Sequence, residues 1–467
     1  RYTLRPPGSG LRFNWKTPFE LSHHNSRIFY CAGNYIFRSL DRGANLKRIS
    51  PKIGRTDRGT ATAFSESPRN ADVLWCGTDD GALWISRDGG KDWTNVAEKV
   101  GLPKPFHVAS IEASRFAEGR AYVAFDGHRS NDDFPHVYVT EDFGQNWKAI
   151  TTNLPTGSTR CLREDVVNAN LLYCGTEFGA FASVNRGGHW TRINSNLPTV
   201  AVHEIAVHPT AGEIVAGTHG RSAWVLDVMP LRHFTANVAK AKAHLFEPAK
   251  GTLWSGALSH NRSGDRRFTG QNPAFGSALY YHLGEAAKAV SVEIRDARGT
   301  PIRRLKANNK AGINVVRWDL RAAQRRGAPR PARPGPPAVD VVGRMFKQLD
   351  TDKDGELTAK DLKDAGPRTT VLKRMLAEAD PNKDGKVTLA EFKARGGRNA
   401  GPTGRNAPAL NRAGAPVKPG NYVVVLKVDD QEFSCEITVA ADPEFPAALL
   451  QEELEEQTRK QRQEFIE

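Results

Sequence analysis

No apolar run in the 467-residue chain approaches the roughly 18 residues that a membrane helix needs, so no membrane span is expected. Cysteine is scarce: there are five, and no Cys-x-x-Cys pair occurs, which argues against both a disulfide framework and a zinc site. Three of the five share one context, Tyr30-Cys31-Ala32-Gly33, Trp75-Cys76-Gly77-Thr78 and Tyr173-Cys174-Gly175-Thr176. A small apolar residue recurring before a Gly in equivalent strands reads as a buried core thiol. The chain opens Arg1-Tyr2-Thr3 without an initiator Met or a signal-like segment, so a mature or truncated piece is expected.

Acidic residues are missing where the basic ones gather. Lys and Arg number 66 against 52 Asp and Glu, a net charge of +14. Residues 321–339 carry five arginines and no acid, and residues 393–420 carry six basic residues and no acid, so these two Pro/Gly/Ala-rich stretches hold 11 of the 14 net charges. The basicity therefore belongs to solvated linkers. No aromatic residue is interleaved there to stack on bases, and no specific nucleic-acid binding is expected. The remainder, 39% apolar and 8% aromatic overall, is a globular composition long enough for two to four domains.

The first half repeats itself. Ser39-x-Asp41-x-Gly43-x-x-Leu46 returns as Ser86-x-Asp88-x-Gly90-x-x-Trp93, as Thr140-x-Asp142-x-Gly144-x-x-Trp147 and as Ser183-x-Asn185-x-Gly187-x-x-Trp190, with starts 47, 54 and 43 residues apart. That is blade length for a β-propeller. Within each box the hydroxyl and the carboxyl or amide cap nearby backbone groups, Gly takes a strained dihedral and the aromatic residue packs between sheets. Flanking strands complete four per unit, and a fifth unit, Ile214 to Asp227, has strand, turn and strand without a box. About five blades are expected in residues 1–235.

The boxes, the Gly-Thr-x-x-Gly turns and the closing Gly217-Thr218-His219-Gly220-Arg221 resemble the Asp-box (BNR) propellers of sortilin-like receptors, and in particular the bacterial sortilin-like proteins often labelled glycosyl hydrolase. Such propellers include sialidases, xyloglucanases, receptors and assembly factors, so the resemblance implies a fold rather than a chemistry. It also implies more blades than five, supplied upstream or by a partner chain.

Strands alternate direction, so the turns between second and third strands share one rim and the boxes the other. The shared rim would carry Asp79 and Asp80, then Asp126, His128, Arg129, Asp132 and Asp133, then Glu177, then His219 and Arg221. The third turn is about seven residues longer than its siblings, and long loops on rigid scaffolds are where ligands bind. Carboxylates beside His and Arg could serve as acid and base for glycoside cleavage. The plainer reading is solvated turn residues. No arginine triad with a Tyr/Glu pair of the sialidase kind is present to assign, and no catalytic residue is named.

After a stretch read as linker, 236–275, period-two patterning marks short strands in 276–322 and again in 415–442. Gly312-Ile313-Asn314 through Trp318-Asp319-Leu320 and Pro419-Gly420-x-Tyr422 resemble the Ig-like domain of flagellar hook-capping and related secreted bacterial proteins, implying an accessory β-sandwich. Basic linkers at 323–338 and 396–414 bracket residues 339–395. There Asp350-x-Asp352-x-Asp354-Gly355-Glu356-Leu357-Thr358-x-x-Asp361 and Asp380-x-Asn382-x-Asp384-Gly385-Lys386-Val387-Thr388-x-x-Glu391 both fit the twelve-residue EF-hand loop.

The spacing has a physical reason. Oxygens at positions 1, 3, 5 and 12, with the backbone carbonyls of Glu356 and Lys386 at position 7, surround one hard cation, and Gly at 6 permits the sharp bend. Leu357 and Val387 at position 8 should pair the loops, and apolar residues at helical spacing should supply the flanking helices. Asp361 is a methylene shorter than Glu391, so of two Ca2+ sites the second is expected to be tighter. Asp at position 12 and the 30-residue loop separation also resemble dockerins, whereas the long apolar segments entering each loop favour an ordinary EF-hand pair. Residues 443–467, with Leu449, Leu450 and Leu454 on a thin stripe, read as a terminal helix.

The expected architecture is thus mainly β: a partial propeller, a sandwich and an α-helical EF-hand pair inserted in the sandwich. Three functions follow: a secreted, periplasmic or cell-surface calcium-binding protein whose rim takes a protein or glycan, a glycoside hydrolase using rim carboxylates, or a structural surface-assembly protein.

Overall fold

The computed structural model describes residues 10–254, 275–324, 350, 352, 354–358, 385–388 and 413–443. The described chain is nearly all sheet and falls into two compact units. The first comprises Arg1–Phe246 with Tyr280–Ala286 and Ala311–Asn314; the second comprises Glu247–Leu279, Ala287–Lys310 and Val315–Glu467.

In the first unit, successive antiparallel sheets form a run of propeller blades. Blade one holds Phe19–Leu21, Phe29–Ala32, Ile36–Ser39 and Lys47–Arg48, each strand pairing with the next. Blade two holds Ala61–Glu66, Leu74–Thr78, Leu83–Ser86 and Thr94–Asn95. Blade three holds His107–Ala113, Ala121–Asp126, His136–Thr140 and Lys148–Ala149. Blade four holds Thr159–Glu164, Leu172–Thr176, Gly179–Ser183 and Thr191–Arg192. Blade five has three strands, Val202–Val207, Glu213–Thr218 and Ala223–Asp227.

The core lies between blades. Ala32, Ile36, Ala61 and Cys76 bury the junction of blades one and two, and Trp75, Ile85, Val108, Ile111 and Val123 that of two and three. Tyr122, Ile150, Leu172 and Trp190 bury the junction of three and four, and Cys161, Tyr173, Val202 and Ile205 that of four and five. Cys31, Cys76 and Cys174 are buried free thiols, as their shared context predicts.

The boxes work as turn and staple. The box hydroxyl accepts a backbone N–H four residues on, at 3.0 Å from Gly43 to Ser39, 2.8 Å from Gly90 to Ser86, 2.9 Å from Gly144 to Thr140 and 2.8 Å from Gly187 to Ser183. The Trp93 indole donates to the Ile49 carbonyl of blade one at 2.7 Å, and the Trp190 indole to the Ile150 carbonyl of blade three at 2.7 Å. Each such indole ties one blade to its predecessor.

Two buried carboxylates add a latch that composition does not announce. Glu66 of blade two accepts from Ser22 Oγ at 2.9 Å, His23 N at 2.7 Å and Tyr30 Oη at 3.0 Å, all on blade one. Glu164 of blade four accepts from Ser114 Oγ at 2.9 Å and Arg115 N at 3.0 Å, both following the first strand of blade three. A buried carboxylate with several donors satisfied fixes the relative setting of two sheets.

The stretch 236–275, expected as a linker, is in part ordered structure. Ala236–Lys240 is a helix capped by the Thr235 hydroxyl, and Ala243–Leu245 and Gly251–Leu253 are strands. Their brevity explains the misreading, since three-residue strands carry too few positions to show a period. In the second unit the sheet order is Gly251–Leu253, Gln431–Ala441, Gly420–Val428, Val290–Arg295, Pro301–Lys306. Val290–Arg295 pairs with residues 423–428, so residues far apart in sequence meet in one sheet across the segment carrying the calcium motifs. Trp318 is fully buried there, edge-on to Tyr422 at 5.5 Å. Arg321–Ala323 pairs with Ala413–Pro416, trimming the expected linkers at both ends. The predicted EF-hand helices and the terminal helix 443–467 lie outside the described residues, save Pro443.

Candidate calcium loops and propeller rim

The first loop brings its early carboxylates together. One donor oxygen each from Asp350, Asp352 and Asp354 lies within 4.8 Å of the others. The turn that gathers them is built by the loop itself: Gly355 N donates to Asp350 Oδ2 at 3.0 Å, Glu356 N to Asp354 Oδ1 at 2.8 Å, and Gly355 sits at φ +83°. Gly385 takes the same conformation in the second loop, at φ +82°. Only glycine adopts this geometry without cost, which is why position 6 carries it twice.

Asp350 is buried, and its Oδ1 has no hydrogen-bond partner. A buried carboxylate oxygen without a partner is costly unless a cation takes it. Three convergent carboxylates with one orphaned oxygen fit a hard divalent ion, which Asp350, Asp352, Asp354 and the Glu356 carbonyl would hold. The loops also pair as expected: Glu356 lies opposite Thr388 and Leu357 opposite Val387, the last two buried. Glu356 and Lys386, both at position 7, join across the pair at 2.7 Å. Asp361, Asp380, Asn382, Asp384 and Glu391 lie outside the described residues.

On the propeller rim, the expected residues divide into latched and free. Asp79 accepts from Thr60 N at 2.8 Å, Thr60 Oγ1 at 2.8 Å and Asn14 Nδ2 at 3.0 Å. Asp80 accepts from Thr78 Oγ1 at 2.6 Å and Thr56 N at 2.7 Å; burial raises its pKa, but these bonds outweigh it and hold the carboxyl below its ordinary value. In blade three, Asp132 accepts from His136 Nε2 at 3.1 Å and Phe134 N at 3.0 Å, and is likewise held low against the opposing effect of burial. These three carboxylates are thus each held by hydrogen bonds within or beside their turns. Arg129, Asp133, His219 and Arg221 are exposed.

A cluster does form, around a residue that pattern reading passes over. The Arg160 guanidinium bonds Asp126 of blade three and Glu177 of blade four, with Nε to Glu177 Oε2 at 3.0 Å. His128 adds its Nδ1, 2.7 Å from Asp126 Oδ1 and 3.1 Å from the same guanidinium. Beside it the His203 and His219 rings stack at 5.1 Å; burial, then Arg160, lowers the His203 pKa.

Arg160 and His203 escape the sequence reading for a common reason. Near the start of the first strand, the pairing register slips between Ala61 and Ala63, between Thr159 and Cys161 and between Val202 and Glu204. Thr62, Arg160 and His203 are the skipped residues, and on blade three Ala109 is skipped in the same way. A β-bulge re-aims one side chain and breaks the alternation by which strands are recognised. The only available signal was a polar residue recurring at the start of the first strand.

Below the rim, Arg163 bridges Glu112 at 3.6 Å and Glu204 at 2.5 Å. Burial pushes the Glu112 carboxyl up to about 7, with Arg163 pulling it down and Glu164 pushing it up. On the opposite, box-bearing side, a cleft of about 470 Å3 opens between blades three and four, lined among others by Glu141, Asn146, Trp147, Asn185 and Arg186.

Comparison with known proteins gives one family match and several partial resemblances. Residues 340–395 match the EF-hand domain pair, which implies calcium binding. The oligoxyloglucan-reducing end-specific xyloglucanase of Emericella nidulans is 30% identical over 142 residues, 27% of this chain and 16% of that enzyme, so the chain spans a small part of its relative. Among solved structures, a GH74 enzyme of Niastella koreensis aligns over 44% of this chain and 35% of its own at 17% identity and a TM-score of 0.36. YCF48 from Cyanidioschyzon merolae aligns over 53% and 92% at 14% identity and a TM-score of 0.29. Among the described residues no helix is long and apolar enough to cross a membrane.

Proposed function

We propose that this is an extracytoplasmic calcium-binding protein whose sortilin-like, Asp-box propeller binds a glycan or protein on its rim without cleaving it. The observation that carries the reading is Arg160, which holds Asp126 and Glu177 in one ion network. A carboxylate paired with a guanidinium presents fixed acceptors to a hydroxylated or basic ligand. His128, Arg129, Asp133, His219 and Arg221 would border the same surface. The EF-hand pair would take two Ca2+ ions, the second more tightly because Glu391 reaches further than Asp361, and would rigidify the inserted module within an Ig-like accessory domain.

The blade array invites completion by further blades, upstream or from a partner chain. Trp15, Phe19 and Leu21 on blade one are 103%, 74% and 57% exposed, and Val225 on blade five is 63% exposed. Calcium loops of this kind suit the millimolar calcium outside cells, which favours a secreted, periplasmic or surface location.

A second reading, a glycoside hydrolase, is favoured by the stretch shared with the xyloglucanase. A screen of polysaccharides for binding and for release of reducing ends separates the two. Binding without hydrolysis supports the first; hydrolysis abolished by Asp126→Asn or Asp133→Asn overturns it.

A further inference from the structure

His282 is 6% exposed, and neither of its ring nitrogens has a hydrogen-bond partner. A buried imidazole normally satisfies both, because one nitrogen donates and the other accepts, and leaving a polar atom unmade is unfavourable. Its surroundings show which kind of partner would fit. His244 is its cross-strand partner, in the register Ala243↔Leu283, His244↔His282, Leu245↔Tyr281. Directly opposed residues share a face, with Cβ atoms about 4.5–5.5 Å apart.

Two aromatic rings flank the pair: Phe234 stands edge-on to His282 at 5.2 Å, and Phe246 edge-on to His244 at 4.8 Å. His233, adjacent to Phe234, lies close enough to His244 to influence its charge.

We propose that His244 and His282 form a chelating pair for a transition-metal divalent ion of the zinc class, with exposed His233 as a third donor. Two imidazoles on adjacent strands supply borderline nitrogen ligands that zinc, nickel and copper prefer and calcium does not. The flanking phenyl rings provide the apolar surround that strengthens such bonds. Among the described residues only the first-loop aspartates bring three donors of metal-binding type within 4.8 Å, so His233 must turn inward to complete the set. The ligand chemistry differs from that of the calcium loops, which offer oxygen donors.

The test is calorimetric titration of the full chain with ZnCl2 in excess calcium, which fills the EF-hand loops. One zinc should bind with micromolar affinity and raise the melting temperature. His244→Ala and His282→Gln should each weaken binding at least tenfold, His233→Ala should weaken it less, and His189→Ala, at an exposed site elsewhere, should leave it unchanged. His244 is only half buried, so that variant keeps the test usable if His282→Gln fails to fold. No uptake by the parent chain, or uptake undiminished in His244→Ala, overturns the proposal.

Discussion

The Arg160 guanidinium joins Asp126 to Glu177, and the two carboxylates differ sharply in burial: their side chains are 8% and 38% exposed. Removing the cation strands the buried partner, whereas removing the exposed acid does not. Arg160→Met should therefore lower stability by about 1–3 kcal/mol, and Glu177→Gln by less than about 1 kcal/mol. Urea denaturation of both variants tests this, and equal losses would show that burial of Asp126 is not what the cation compensates.

Blade stacking predicts a graded response from three equivalent glycines. A Cβ on Gly77 would meet Val108 at 2.2 Å, and one on Gly175 would meet the Val202 carbonyl at 2.4 Å, because in each case the first strand of the next blade crosses the glycine. Gly217, in the same position of blade five, has no neighbour nearer than 3.7 Å among the described residues. Gly77→Ala and Gly175→Ala should cost about 1–3 kcal/mol by overpacking, and Gly217→Ala almost nothing. Thermal melting of the three variants would decide, and a large loss at Gly217 would mean that something else covers blade five.

This contrast also shows how far the sequence could be read. Gly after Cys is visible as a repeat, but the reason for it, the approach of a strand about 30 residues further on, is a tertiary fact. Blades and boxes were legible because their signals are local: a hydroxyl, a carboxyl and a glycine within five residues. The calcium loops were legible for the same reason. Arg160 was not, since a bulge removes the alternation that would have marked its face, and neither was Glu164, whose donors Ser114 and Arg115 lie about 50 residues away. Asp79 and Asp80 were legible as turn residues, but their hydrogen bonds to Thr60 and Thr56 could not be read from spacing.

Glu112 gives a pH prediction. Burial pushes its carboxyl up to about 7 from an ordinary value of 4.5. The folded state then holds a proton that the unfolded state has released between those values, so the contribution of Glu112 to stability is complete below about 4.5 and is lost as pH rises through about 7. Glu112→Gln should remove that dependence, and stability of the parent relative to the variant should fall by about 1–3 kcal/mol from pH 4.5 to 7.5. Denaturation at matched pH values measures it; a constant difference would place the Glu112 proton elsewhere.

Leu357 and Val387 make the calcium loops one unit, because each buries against the other in the short ladder between them. Shortening Leu357 to Ala disturbs the ladder without touching a ligand of either loop. On the proposed two-ion reading, both calcium-binding steps should then weaken, by about tenfold or ~1.4 kcal/mol each. Asp350→Asn, in contrast, removes charge from the first loop only and should leave the second step nearly intact. Asp361→Glu should tighten the first step alone by restoring the longer position-12 carboxylate. Calorimetric titration of the full chain resolves the three cases. If Leu357→Ala weakened only the first step, the ladder would be a contact between independent sites, and calcium in one loop would carry no information to the other.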